Sequence, residues 1–211
     1  MSSWTIGSFS GVALVVSPFS LVLVLYLVWL FYRLLKRDGG TATPGYVLLG
    51  VGLAIFLVLL GHELAHALTA AYFGLPVTEI GLAFFGAYTD ISGLEEASVL
   101  AMLLIGLSGP LYNLVTAFPI IIVSRGIRNE LLSRTVEIAG IISVVVGLVN
   151  LIPTRFLDGG KVLLAIWRLV GVDPAGRLAN IVDTVALTIL IFLILFRPPK
   201  FLVKFIRRFK R

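Results

Sequence analysis

Long segments that are almost free of charge limit what this chain can fold into. They begin at about residues 18, 46, 99, 136 and 178, and polar or glycine-rich stretches separate them. A run of about 20 apolar residues is long enough to cross the hydrocarbon core of a bilayer as a helix. Because 59% of the residues are apolar and only 13% are charged, the composition is that of an integral membrane protein.

These segments predict an all-α polytopic membrane protein, a bundle of five or six transmembrane helices. The predicted spans cover residues 18–32, 46–73, 99–123, a fourth segment that is broken at 150–160, and 178–196. Residues 75–92 lack a helical stripe and are rich in β-branched and aromatic side chains, which predicts a small membrane-associated β-hairpin. The 211 residues leave little room for a second domain, so we expect one membrane domain over 1–196.

The C-terminal residues 197–211 form a separate basic segment, RPPKFLVKFIRRFKR. It holds seven of the 17 basic residues, and its apolar and basic side chains fall on different faces of a helix. This pattern favours an amphipathic juxtamembrane helix on anionic lipid headgroups, and a solvated basic tail is the alternative. The net charge of +6 is concentrated here without a nucleic-acid-binding fold, so we expect no nucleic-acid partner.

Both histidines of the chain lie in the second apolar segment, in the sequence HELAH at 62–66. Residues four apart lie one above the other on a helix, so His62 and His66 can bind the same metal ion. Glu63 is next to the first histidine and can act on a water molecule at that metal. A bare HExxH motif also occurs in proteins without metal, but polar groups at membrane depth are costly and indicate a function.

A catalytic zinc ion usually has three protein ligands, so a third is needed. The chain has no cysteine, and the acidic candidates within apolar stretches are Asp158 and Asp183. Asp158 is the better candidate, because Pro153 and the glycines at 159–160 must open the helix around it. Such irregular backbone survives at membrane depth only where protein or water satisfies it. Asp183 is more simply explained as a polar residue near the start of the last span.

Three motifs in this order resemble the site-2 protease family of intramembrane zinc metalloproteases: HELAH with HxxxAxxxG spacing, SGPLYN at 108–113 and NLIPTRFLDGG at 150–160. The resemblance implies that His62, His66 and Asp158 bind one Zn²⁺ ion. It also implies that Glu63 is the general base and that Asn150 holds substrate backbone or the oxyanion. Gly109 and Asn113 match a GxxxN element, for which close helix packing is at least as good an explanation as a direct role.

The resemblance implies an intramembrane metalloprotease of the cell membrane that cleaves peptide bonds within or near transmembrane segments of its substrates. Two alternatives remain at this stage. One is a catalytically silent relative that binds transmembrane helices, and the other is a metal transporter or sensor with a transit site at HELAH. Phe156 and Arg155 depart from the family pattern in the loop before Asp158, so the roles of Arg155, Asp183 and Asn113 stay open.

Membrane orientation also stays open. The lysines and arginines at 33–37, 125–134 and 197–211 would place these segments in the cytoplasm and residues 75–97 outside. The family arrangement instead implies that the hairpin and the mouth of the site face the cytoplasm. The two orientations are incompatible, and we favour the family arrangement because the alternating N-terminal strand resembles its cytosolic element.

Overall fold

The computed structural model describes most of the chain that follows the first predicted span. Its described residues are 4–9, 11–18, 20, 22, 25, 29, 45–83 and 86–195. The first predicted span at 18–32 lies mostly outside them, and the basic segment at 197–211 lies wholly outside them.

Residues 18, 20, 22, 25 and 29 are helical, and the continuous described stretches contain five helices and four short strands. In chain order they are β1 Trp4–Phe9, β2 Val12–Val16, α1 Gly45–Tyr72, β3 Val77–Ala83, β4 Gly86–Ile91, α2 Val99–Gly126, α3 Glu130–Asn150, α4 Asp158–Val170 and α5 Arg177–Leu195. Within the described residues, three helical segments are long and apolar enough to cross a membrane: Leu49–Tyr72, Val99–Gly126 and Leu132–Asn150. A mostly helical membrane protein with a small sheet is therefore confirmed, and the number of five or six spans stays a prediction.

The helices begin and end at residues suited to these positions. The Ser98 hydroxyl accepts a hydrogen bond from the Ala101 N–H at the start of α2, and the Asn129 side chain does the same for Leu132 at the start of α3. Gly171 follows α4 with φ of 72°, a left-handed conformation that glycine adopts without steric cost. Side-chain and backbone caps thus satisfy end groups that the helices leave unpaired.

Helices α1, α2 and α3 pack against one another, and α4 packs on α2. Glycines bring α2 and α3 close together: a Cβ added at Gly147 would lie 3.0 Å from the Pro110 carbonyl oxygen. Small residues at helix contacts allow such close approach in membranes. One apolar cluster joins α1 to α3, namely Val51, Ile55, Val58, Ile138 and Ile142. A second joins α1, β4 and α2, namely Ala70, Ile91, Ala101 and Ile105.

The four strands form one sheet in the order β1-β2-β3-β4. The β1–β2 and β3–β4 pairs are antiparallel, and β2 and β3 are parallel. The predicted hairpin at 75–92 is therefore the β3–β4 half of a larger sheet. The parallel pairing of β2 with β3 joins segments that are more than 60 residues apart, with Ala13 opposite Glu79. Local sequence patterns carry no signal for such a pairing.

The predicted break in the fourth apolar segment lies between α3 and α4. Helix α3 ends at Asn150, and the irregular residues 151–157 contain Pro153. Helix α4 has 13 residues and is therefore about 20 Å long, too short for a hydrocarbon core of about 30 Å. The apolar run after the break is thus a separate helix, and residues 151–157 fold back over its first turn.

Gly160 is needed where this loop folds back. A Cβ added there would lie 2.7 Å from the Thr154 carbonyl carbon and still closer to its oxygen. We expect Gly160→Ala to lower the free energy of unfolding by about 1–3 kcal/mol, because backbone atoms must move to admit the methyl group. Thermal unfolding in detergent with a chelator present checks this without a contribution from bound metal. Gly7→Ala, which would meet nothing within 4 Å, is the control; equal losses in both variants would contradict the expectation.

Candidate metal centre

Three buried side chains bring their metal-binding atoms together between α1 and α4. His62 Nε2 lies 2.8 Å from Asp158 Oδ2, and His66 Nε2 lies 3.1 Å from the same oxygen. The two Nε2 atoms are 3.2 Å apart. Tetrahedral ligands at about 2.0–2.1 Å from zinc lie about 3.3 Å from one another, so this group needs little adjustment to fit the ion. The structure thus places these predicted ligands in one group that could hold a metal.

The imidazole of His66 is fixed by its other ring nitrogen. His66 Nδ1 donates a hydrogen bond to the Ile105 carbonyl oxygen on α2, at 2.7 Å. The Ser108 hydroxyl lies 3.2 Å from that nitrogen and donates to the same carbonyl oxygen. A proton on Nδ1 leaves Nε2 with its lone pair free, which is the form of histidine that binds a metal.

The corresponding partner of His62 is Asn113, which lies in the SGPLYN motif on α2. Its side-chain nitrogen Nδ2 is 2.9 Å from His62 Nδ1, and its oxygen Oδ1 is buried without a hydrogen-bond partner among the described residues. The oxygen and nitrogen of an amide exchange places by a half-turn of the group. After that turn Oδ1 accepts from the His62 Nδ1–H, and His62 Nε2 is free for metal. This half-turn gives the unpaired oxygen a donor and puts His62 in the tautomer that binds a metal.

Gly109 on α2 lies against the Nε2 atoms of both histidines, where a side chain would not fit. A Cβ at this position would lie 2.6 Å from His62 Nε2 and even closer to His66 Nε2. The GxxxN element therefore has two functions here, since Gly109 allows close approach of α2 and Asn113 contacts a predicted ligand. Two imidazoles and one carboxylate, with no thiolate, are a donor set that suits a catalytic zinc ion.

The second oxygen of Asp158 is also engaged. Lys161 Nζ lies 2.9 Å from Asp158 Oδ1, and the two residues are three apart on α4. Asp158 is the first residue of that helix, where the positive end of the helix dipole favours a carboxylate. Asp158 therefore stays an anion with Oδ2 directed at the histidines.

Asp183, the other acidic candidate, does not belong to this group. Its carboxylate accepts hydrogen bonds from the Arg155 backbone N–H at 2.7 Å and from Arg155 Nε at 2.8 Å. The Arg155 Nη2 group also donates to Asn180 Oδ1 at 2.9 Å. These bonds tie the loop at 151–157 to α5, which gives Arg155 and Asp183 a structural role.

Glu63 is buried beside the first histidine and is hydrogen-bonded to the sheet. Thr89 Oγ1 on β4 lies 2.7 Å from Glu63 Oε2. Asn150, predicted to act on the substrate, is the last residue of α3, and its Nδ2 donates to the Val146 carbonyl oxygen at 3.0 Å. In the described part of the chain, its side chain has no hydrogen bond to Glu63 or to the three predicted ligands.

Sequence reasoning missed Thr89, Ser108 and Lys161. The spacing of Lys161 from Asp158 is a usable signal, because residues three apart on a helix are neighbours. Ser108 directly precedes the GxxxN element, but no local pattern indicates its contact with His66. For Thr89 the sequence carries no signal, since its contact depends on how the sheet docks against α1.

Comparison with known proteins supports this picture. The profile of peptidase family M50 matches residues 51–129 and 119–193. The chain is 33% identical to the putative zinc metalloprotease Rip3 of Mycobacterium tuberculosis, over 75% of this chain and 45% of that protein. It is 32% identical to the putative zinc metalloprotease sll0528 of Synechocystis sp., over 82% of this chain and 46% of that protein.

A solved structure shares the fold. The site-2 protease from Methanocaldococcus jannaschii superposes with a TM-score of 0.64 and 21% identity, covering 96% of this chain and 89% of that one. Fold and donor group define a membrane protein with a candidate metal centre buried between its helices. The chain belongs to peptidase family M50, and its resemblance to the site-2 protease family is confirmed. It spans less than half the length of the curated relatives it matches.

Proposed function

We propose that this protein is a zinc-dependent endopeptidase that hydrolyses peptide bonds within or near transmembrane segments of other membrane proteins. The observation that carries the proposal is the convergence of His62, His66 and Asp158 in a buried group, with Glu63 next to the first histidine. Membership of family M50 and the zinc metalloprotease names of the relatives support it. A buried group of this kind among apolar helices suits a substrate that is itself a membrane segment.

In the proposed reaction, His62, His66 and Asp158 hold one zinc ion per chain. Zinc, when bound, supplies Lewis-acid activation of a water molecule and of a peptide carbonyl. Glu63 takes the proton from the attacking water and then gives it to the leaving amine. The hydrogen bonds to Ile105 and Asn113 hold the two imidazoles in orientation throughout.

The substrate must be extended to be cleaved, because the hydrogen bonds of a helix shield its peptide groups. In the described sheet β4 is an outer strand, paired only with β3. We propose that an unwound substrate segment adds to β4 as a further strand, which gives main-chain binding with little sequence preference. Asn150 would stabilise the oxyanion, and its amide would first have to leave the Val146 carbonyl oxygen.

The proposal extends to the location of the protein. A multi-pass protein of the cell membrane fits the long apolar helices and the family. The basic segment at 197–211, which is outside the described residues, would lie on anionic lipid headgroups.

The test is incubation of the purified full chain with candidate membrane substrates, with and without a chelator. We expect cleavage that the chelator stops and that added zinc restores, because the apoprotein lacks the Lewis acid. Binding of transmembrane helices without cleavage in zinc would indicate a silent relative. Zinc flux into proteoliposomes without cleavage would indicate a transporter, and either result would reject the proposed function.

A further inference from the structure

The hydroxyl group of Thr89 is within hydrogen-bond distance of both the side chain and the backbone carbonyl group of Glu63. Its hydroxyl oxygen lies 2.7 Å from Glu63 Oε2 and 3.1 Å from the Glu63 carbonyl oxygen. Both residues are buried, with exposed fractions of 8% and 5%. Across the described ranges, no other side chain is hydrogen-bonded to the Glu63 carboxyl group, and its Oε1 has no hydrogen bond.

The sheet fixes the hydroxyl of Thr89 in this position. Side chains alternate along β4, so Thr89 and Ile91 are buried while Tyr88 and Asp90 are exposed. Ile91 packs in the apolar cluster that joins β4 to α1 and α2. Because this packing holds β4 against α1, the Thr89 hydroxyl stays next to Glu63.

The exposed face of the same strand pair is held by its own bonds. Tyr88 donates a hydrogen bond to Glu79 on β3, and Thr78 donates to Asp90 at 2.6 Å. Although Tyr88 is exposed, the partial burial of its phenol, and then the bond to Glu79, raise its pKa to about 12. Strand β4 is therefore held to β3 by side-chain bonds on its exposed face and packs against α1 on its buried face.

We propose that Thr89 is a positioning residue that ties the orientation of the Glu63 carboxyl group to strand β4. The hydroxyl donates to Oε2 whether Glu63 is a carboxylate or carries a proton on Oε1. Oε1 is then the oxygen that takes and returns the proton. The inference rests on the proposed function, and it gives a substrate strand on β4 a direct connection to the general base through one hydrogen bond.

The decisive variants are Thr89→Val, which keeps the shape and removes the hydroxyl, and Thr89→Ser, which keeps the hydroxyl. For cleavage of a model transmembrane substrate by the zinc-loaded full chain, we expect Thr89→Val to lower kcat about 10- to 100-fold. KM and zinc content should stay close to wild type, and Thr89→Ser should restore most of kcat. Thr188→Val, which removes an exposed hydroxyl on α5 that bonds only the Thr184 carbonyl oxygen, is the control and should leave kcat unchanged.

A second measurement does not depend on activity. In metal-free protein the infrared carboxyl band of Glu63, identified by its loss in Glu63→Gln, should shift in Thr89→Val and stay in place in Thr188→Val. An unmoved band together with an unchanged kcat would overturn the inference. So would a rise in KM that Thr89→Ser does not reverse, because that result indicates only a damaged sheet. If wild-type protein cleaves no membrane substrate, the proposed function fails, and the infrared band still decides whether Thr89 orients Glu63.

Discussion

Glu63→Gln is expected to lower cleavage of a transmembrane substrate by about 10²- to 10⁴-fold, the usual contribution of a general base. Glutamine has the same shape, but its amide cannot take a proton from water. The neighbouring Thr89 hydroxyl can still donate to the amide oxygen, so the side chain keeps its place. Since Glu63 lies outside the group formed by His62, His66 and Asp158, zinc should stay bound.

Single-turnover cleavage and the metal content of the purified protein, measured by plasma mass spectrometry, test these two expectations together. The control is Glu96→Gln, which makes the same change at an exposed position and should cleave like wild type. Undiminished cleavage by Glu63→Gln would exclude Glu63 as the base. Loss of zinc in this variant would show instead that Glu63 is a ligand.

The candidate metal-binding group could be predicted from sequence because short-range geometry determines most of it. The four-residue spacing of His62 and His66 places them one turn apart on any helix. Asp158 could be found because Pro153 and the following glycines require an opening in an apolar segment, where an acidic residue needs partners. The structure places Asp158 at the first position of α4, directly beside both histidines.

The sheet and its contact with Glu63 could not be predicted in the same way. Strand β2 pairs with β3 although a long stretch of sequence, including all of α1, separates the two strands. Sequence patterns within either strand do not encode that partner. Thr89 follows an ordinary alternating pattern, and only the docking of β4 on α1 brings it to Glu63.

Gly109→Ala is expected to weaken zinc binding by about 100-fold or more, beyond the 10- to 100-fold typical of losing a residue that supports a ligand. The added methyl group would lie 2.6 Å from His62 Nε2 and closer still to His66 Nε2, in the space where the metal-binding atoms converge. The Nδ1 atom of each imidazole is hydrogen-bonded to the helix that carries Gly109. His62 Nδ1 is bonded to the Asn113 side chain, and His66 Nδ1 to the Ile105 carbonyl oxygen. The rings therefore cannot turn away without losing these bonds, and a shift of α2 away from α1 would stretch the same bonds.

Competition with a chelating fluorescent indicator measures the zinc affinity directly and needs no substrate. Gly126→Ala, at the other end of α2, would meet nothing within 4 Å and should bind zinc like wild type. Thermal unfolding of the metal-free proteins separates the two functions of Gly109. A variant that unfolds like wild type but binds zinc poorly would show that the methyl group acts in the metal centre. Wild-type zinc affinity with lowered stability would show that Gly109 serves the packing of α1 against α2 alone.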